Sequence, residues 1–130
     1  MPFQRKYLLT PSEQVFYKWL APIAEKYNQG IFSKVTVGDI VRLNSTDADA
    51  IEIYNKAKNE KVDFALYNKS NAYITCIIQC HNTKENQNSE AIERLCICAG
   101  YTYIPHQNYE FTEEILRDKF KPTGIHRLFK

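Results

Sequence analysis

Asp63, Gln79 and His81 are the side chains of this sequence whose types and spacing best suit joint chemistry. A carboxylate and a carboxamide oxygen are hard donors of the kind Mg²⁺ prefers, although only the carboxylate brings charge. An imidazole is a borderline donor that suits Zn²⁺, Fe²⁺ or Mn²⁺ better than Mg²⁺. It also titrates near neutral pH, so His81 could serve as a general base. The three residues must be brought together by whatever structure spans residues 61–81.

That structure reads as an antiparallel hairpin. Two apolar runs, residues 62–67 and 73–80, flank Asn68, Lys69, Ser70 and Asn71, which are good turn formers. Alternation along the first strand places Val62, Phe64 and Leu66 on one face and Asp63, Ala65 and Tyr67 on the other. In the second strand Ile74, Cys76, Ile78 and Cys80 share one face, and Thr75, Ile77, Gln79 and His81 share its opposite. Asp63 begins one strand while Gln79 and His81 end the next, so the hairpin brings all three to one end of a sheet.

The elements around the hairpin alternate between helix and strand. Thr10 can cap a helix with Pro11 at its first position and Glu13 closing a capping box. The stripe Val15, Phe16, Trp19, Leu20, Ile23, Ala24 and Tyr27 keeps helical period, with Pro22 a kink and Gly30 the stop. A strand over 31–37 follows, with Phe32, Val35 and Val37 as packing residues. Then come a polar loop over 44–49 and a modest helix over 50–58. After the hairpin, Asn88 or Ser89 can cap a helix buried through Ile92, Leu95, Cys96 and Ala99, with Gly100 ending it. A strand over 101–105 and an amphipathic helix over 111–120 complete the chain. This order predicts an α/β (α+β mixed) fold, with a central mixed sheet of about four strands flanked by helices.

Composition narrows the classes. The chain has 130 residues, 44% of them hydrophobic and 25% charged, which predicts a single globular domain over 1–130. No apolar run approaches a membrane span and the N-terminus lacks a signal peptide, so the expectation is a cytoplasmic protein with no membrane association. Cys76, Cys80, Cys96 and Cys98 lack the paired spacing of zinc ribbons and read as core thiols. The net charge of +2 is small. Its distribution suggests candidate phosphate contacts at Lys84 and Arg94, and at Lys119, Lys121, Arg127 and Lys130 in the tail.

Three blocks carry a family likeness: Leu9-Thr10-Pro11-Ser12-Glu13-Gln14-Val15-Phe16-Tyr17, Lys61-Val62-Asp63-Phe64, and Ala99-Gly100 with the strand after it. With the element order, they make the chain resemble the PD-(D/E)XK nuclease superfamily, and more narrowly a bacterial group of uncharacterised small domains within it. The likeness covers about residues 8–105, leaving a C-terminal helix and basic tail over 106–130. It implies a restriction-endonuclease-like α-β-β-β-α-β core. In active members an aspartate on the second strand and a Glu or Asp on the third hold Mg²⁺, and a lysine two residues further on helps activate water. Asp63 matches the aspartate, Gln79 stands at the second carboxylate, and His81 replaces the lysine. Glu13 matches a helix glutamate that some members add as a ligand.

The resemblance, with these departures from its pattern, therefore implies a catalytically degenerate nuclease-like domain that binds DNA or RNA without efficient cleavage, and it assigns no definite cofactor. An alternative is a divergent nuclease using Glu13, Asp63, Gln79 and His81 with Mg²⁺ or Mn²⁺. A third reading is a protein-interaction module on a dead nuclease fold, docking on a protein partner.

Overall fold

In the computed structural model, which describes residues 2–80, 88–105 and 109–120, the first helix starts where the capping signals place it. The Glu13 backbone N–H donates to the Thr10 hydroxyl at 3.3 Å, and the Thr10 N–H donates to a Glu13 carboxylate oxygen at 2.8 Å. Two otherwise orphaned helix donors are thus satisfied, a cap worth about 1 kcal/mol. Helix α1 runs Pro11–Lys26 and buries Phe16, Leu20 and Ala24; Pro22 lies within it without ending it.

The helix stops at Tyr27 rather than at Gly30, which belongs to the next strand. Asn28 turns the chain with φ +59°, a conformation that asparagine tolerates better than most residues. Gly30 has a packing role instead. It pairs with Tyr67 of the neighbouring strand, and a Cβ there would lie 2.2 Å from the Tyr67 ring.

The remaining elements are β1 (Gln29–Thr36), α2 (Val37–Ile40), α3 (Ala48–Ala57), β2 (Lys61–Asn68), β3 (Ile74–Ile78), α4 (Ser89–Cys98), β4 (Thr102–Ile104) and α5 (Tyr109–Phe120). The sheet order is β1-β2-β3-β4. The pairs β1–β2 and β2–β3 are antiparallel, while β3–β4 is parallel and requires the crossover that contains α4. The fold is therefore the expected mixed sheet of four strands flanked by helices.

Two apolar clusters sandwich the sheet. One joins Phe16, Leu20 and Ala24 of α1 and Leu116 of α5 to Phe64, Leu66, Cys76, Ile78 and Ile104. The other joins Val37, Ala57 and the α4 residues Ala91, Ile92 and Cys96 to Val62, Ala65 and Ile77. Burying each large apolar side chain contributes about 1.5–3 kcal/mol, so these layers dominate the stability.

Several strand assignments differ from the alternation read in the sequence. Val62 packs in the second cluster, opposite Phe64 and Leu66. The break falls at Asp63, whose partner position in β1 is Lys34 with φ +57°; a left-handed residue interrupts the regular pleat. Ile74 changes side because the register shifts between Leu66 and Tyr67, leaving Thr75 as an extra residue in β3. Phe32 is an exposed edge-strand residue stacked on Tyr67 at 4.4 Å, not a core residue. Val37 is buried, but it opens α2 instead of ending β1.

Ala99 caps α4 on the exposed side, whereas Gly100 ends the helix with φ +92° as expected. Cys76, Cys80 and Cys96 are buried free thiols and Cys98 is exposed. No helix among the described residues is long and apolar enough to cross a membrane.

Candidate functional site

Asp63 lies between two fully buried neighbours, Val62 and Phe64, near the start of β2. Register pairs Val35 with Val62 and Ser33 with Phe64, so Lys34 stands across from Asp63 on the adjacent strand. The left-handed backbone at Lys34 costs about 1–2 kcal/mol in a residue with a side chain. Its ammonium donates to a carboxylate oxygen of Asp63 at 3.2 Å and to Oε2 of Glu13 at 2.5 Å. Helix α1 supplies Glu13, which is 0% exposed and uses its other oxygen in the helix cap. One glutamate thus serves both as cap and as site residue.

The far side of Asp63 is also engaged. Its Oδ2 accepts from the backbone N–H of Cys80 at 2.7 Å, and its own N–H donates to Oε1 of Gln79 at 2.9 Å. Gln79 in turn donates its backbone N–H to the carbonyl of Ile104 at 2.9 Å. Its carboxamide also acts on the Tyr103 hydroxyl, drawing that phenol's pKa down against the larger effect of burial. A neutral amide suits this place because it can accept from Asp63 and donate to Tyr103 at once.

Electrostatics fix the protonation of two groups, Lys34 and Cys80. Burial pulls the Lys34 ammonium down, but the hydrogen bonds it donates to Glu13 and Asp63, and the charges of both, lift it above its ordinary value of 10.5. Lys34 is a cation at neutral pH. Burial, reinforced by the Asp63 and Glu13 charges, pushes the neighbouring Cys80 thiol to about 12. A thiol so protonated is no nucleophile.

Glu13, Asp63 and Gln79, three of the residues singled out by the sequence, therefore come together. His81 lies outside the described residues, as do Lys84, Lys121, Arg127 and Lys130. Arg94 does not join the site. It lines a cavity of about 670 Å³ between the α2–α3 segment and α4, where Asp47 and Asp49 offset it and Arg42. Lys119 sits on α5 with its ammonium 5.7 Å from the centre of the Phe120 ring. Lys34 was not among the sequence candidates. The signal available for it was a lone lysine in the apolar stretch Ile31-Phe32-Ser33-Lys34-Val35.

A recess of about 350 Å³ adjoins the cluster, lined by Lys6, Tyr7, Leu8, Lys34 and Lys61. Among the described residues its lining includes three lysines and no acidic residue. Tyr7 is exposed and presents an aromatic ring at its edge.

The residues present do not fit a Mg²⁺ ion. Such an ion needs near-octahedral oxygen ligands and usually one or two carboxylates. Here Lys34 Nζ bridges the two carboxylates, and the Gln79 carboxamide oxygen is turned to the Asp63 N–H. Among the described residues no group of three or more His, Cys, Asp or Glu side chains is placed to hold a metal ion.

The family model described as "Protein of unknown function (DUF2726)" matches residues 5–120. No curated protein and no solved structure matches the chain. Because the match spans α1, all four strands and the whole Glu13–Lys34–Asp63–Gln79 cluster, the chain belongs to the DUF2726 family.

Proposed function

We propose that this protein is a catalytically degenerate nuclease-like domain of the PD-(D/E)XK type, which binds nucleic acid without cleaving it efficiently. The order of helices and strands and the convergence of Glu13 and Asp63 support the nuclease-like ancestry. The observation that carries the reading is Lys34. Its ammonium lies between the two carboxylates that would serve a metal, and the residue also contributes to the lining of a lysine-rich recess. A recess with three lysines, and Tyr7 at its edge, is suited to a phosphodiester with a base stacked on the ring.

Binding is tested by fluorescence anisotropy with labelled single- and double-stranded oligonucleotides. Affinity should fall steeply between about 50 and 200 mM salt, because each phosphate contact releases counterions. Lys6→Glu together with Lys61→Glu should weaken binding at least about tenfold. Salt-insensitive binding, or none, would remove the nucleic-acid reading. Efficient cleavage in the presence of Mg²⁺ or Mn²⁺ would replace it with an active nuclease.

A further inference from the structure

We infer that Lys34 is a built-in substitute for a divalent cation, and that removing its charge turns the Glu13–Asp63 pair into a divalent-cation site. The inference rests on the nuclease-like reading of these two carboxylates, but its test involves no nucleic acid.

The argument begins with charge. Two carboxylates, one fully buried and one with 13% of its side chain exposed, converge from α1 and β2 onto a single ammonium group. Carboxylates so withdrawn from water require a compensating cation. Here that cation is covalently attached and always at hand, held by one bond to each acid. The geometry of its backbone points the same way. Lys34 adopts a left-handed conformation within β1, at the position across from Asp63. Strain of this kind persists only where the surroundings over-determine it, and the two ion pairs supply that determination.

An ammonium and a hydrated divalent ion compete for the same oxygens. With Lys34 present, a divalent ion must displace a cation that cannot diffuse away. Without its charge, Glu13 and Asp63 offer two carboxylates on separate elements, at a residue that also lines the recess shared with Lys6 and Lys61. Two carboxylates with waters completing the shell is a common arrangement for Mg²⁺ or Mn²⁺.

The experiment is thermal unfolding of the wild type, Lys34→Met and the double variant Lys34→Met/Glu13→Gln, each with EDTA and with millimolar MnCl₂. The melting temperature of the wild type should not respond to Mn²⁺. That of Lys34→Met should rise by about 5 °C or more at saturating ion, since a ligand bound only by the folded state stabilises it. The double variant, having lost one carboxylate, should lose most of that rise. If Lys34→Met is largely unfolded in EDTA, recovery of its circular dichroism on adding Mn²⁺ is the equivalent result. No response in Lys34→Met by either readout, or an equal response in the wild type, overturns the inference. Loss of oligonucleotide binding by the wild type would instead remove the nucleic-acid reading and leave the Mn²⁺ response standing.

Discussion

At the scale of single residues, the cluster is defined by which groups can be changed together. Lys34→Met leaves Glu13 and Asp63 facing each other without their shared cation. Removing one partner of a fully buried pair costs about 3–5 kcal/mol. Lys34 keeps 24% of its side-chain exposure, and solvent screening reduces the expected loss to about 1–3 kcal/mol. Urea denaturation at pH 7 measures it. Adding Glu13→Gln to Lys34→Met should cost little more, because the amide keeps an acceptor for Thr10 while removing the uncompensated charge. Costs that simply add would mean the two residues are not coupled. Gln79→Glu makes the reverse test. It retains the acceptor for the Asp63 N–H, loses the amide donor toward Tyr103, and buries a third negative charge. The expected loss is about 1–3 kcal/mol, from a polar group left imperfectly paired. Mg²⁺ should not restore it while Lys34 remains, and a Mg²⁺-dependent recovery in denaturation midpoints would show that Lys34 yields to the ion. Asp63, Glu13 and Gln79 were legible because a hairpin and a capping box place them. Lys34 was not, since a lone lysine in an edge strand reads as a solvated side chain until the pairing register sets it across from Asp63.

Elements explain why the helices were legible and the strands less so. Helix α1 announces its start through Thr10, Pro11 and Glu13, and its buried stripe through Phe16, Leu20 and Ala24. These are local signals. Strand faces depend on partners, and both departures from strict alternation in the hairpin, at Asp63 and at Ile74, sit where pairing is irregular. Gly30 illustrates the same limit. A glycine after a helix reads as its stop, yet its role is set by a residue far along the chain, Tyr67, whose ring lies against the Gly30 backbone. Gly30→Ala should therefore force the ring away, weaken its 4.4 Å stack with Phe32, and loosen β1 against β2. Overpacking of this kind costs about 1–3 kcal/mol. A chemical-denaturation midpoint equal to that of the wild type would show that Tyr67 swings aside freely and that Gly30 has no packing role. The strand matters to the site because β1 carries Lys34.

For the whole molecule, the buried ionisable groups predict how stability responds to alkali. Burial raises Cys76, Cys80 and Cys96 from the ordinary 9.0 to about 12 each, with the Asp63 and Glu13 charges adding at Cys80 and the Glu93 charge at Cys96. Burial likewise raises Tyr103 from 10.0 to about 12 against an opposing hydrogen bond from Gln79. In every case the folded state holds its proton more tightly than the unfolded chain. The contribution of each group is therefore complete below its unfolded value and lost as pH climbs toward its folded one. Stability should be level from pH 7 to about 8.5 and fall between about pH 9 and 12. Each thiol contributes up to about 1.4 kcal/mol per pH unit, so the loss by pH 10.5 reaches about 6 kcal/mol, comparable to the whole stability of a domain this size. Urea midpoints at pH 7, 9 and 10.5 should show that decline. Lys34 is also raised, but from 10.5, so its contribution fades later than that of the thiols. The Lys34→Met variant should accordingly start from a lower stability and decline over the same interval, whereas Cys96→Ala should decline less steeply than the wild type. A midpoint that stays constant to pH 11 would mean the thiols ionise in place. The interior would then tolerate charge on both faces of the sheet, and the tight pairing of Glu13, Lys34 and Asp63 would no longer follow from burial.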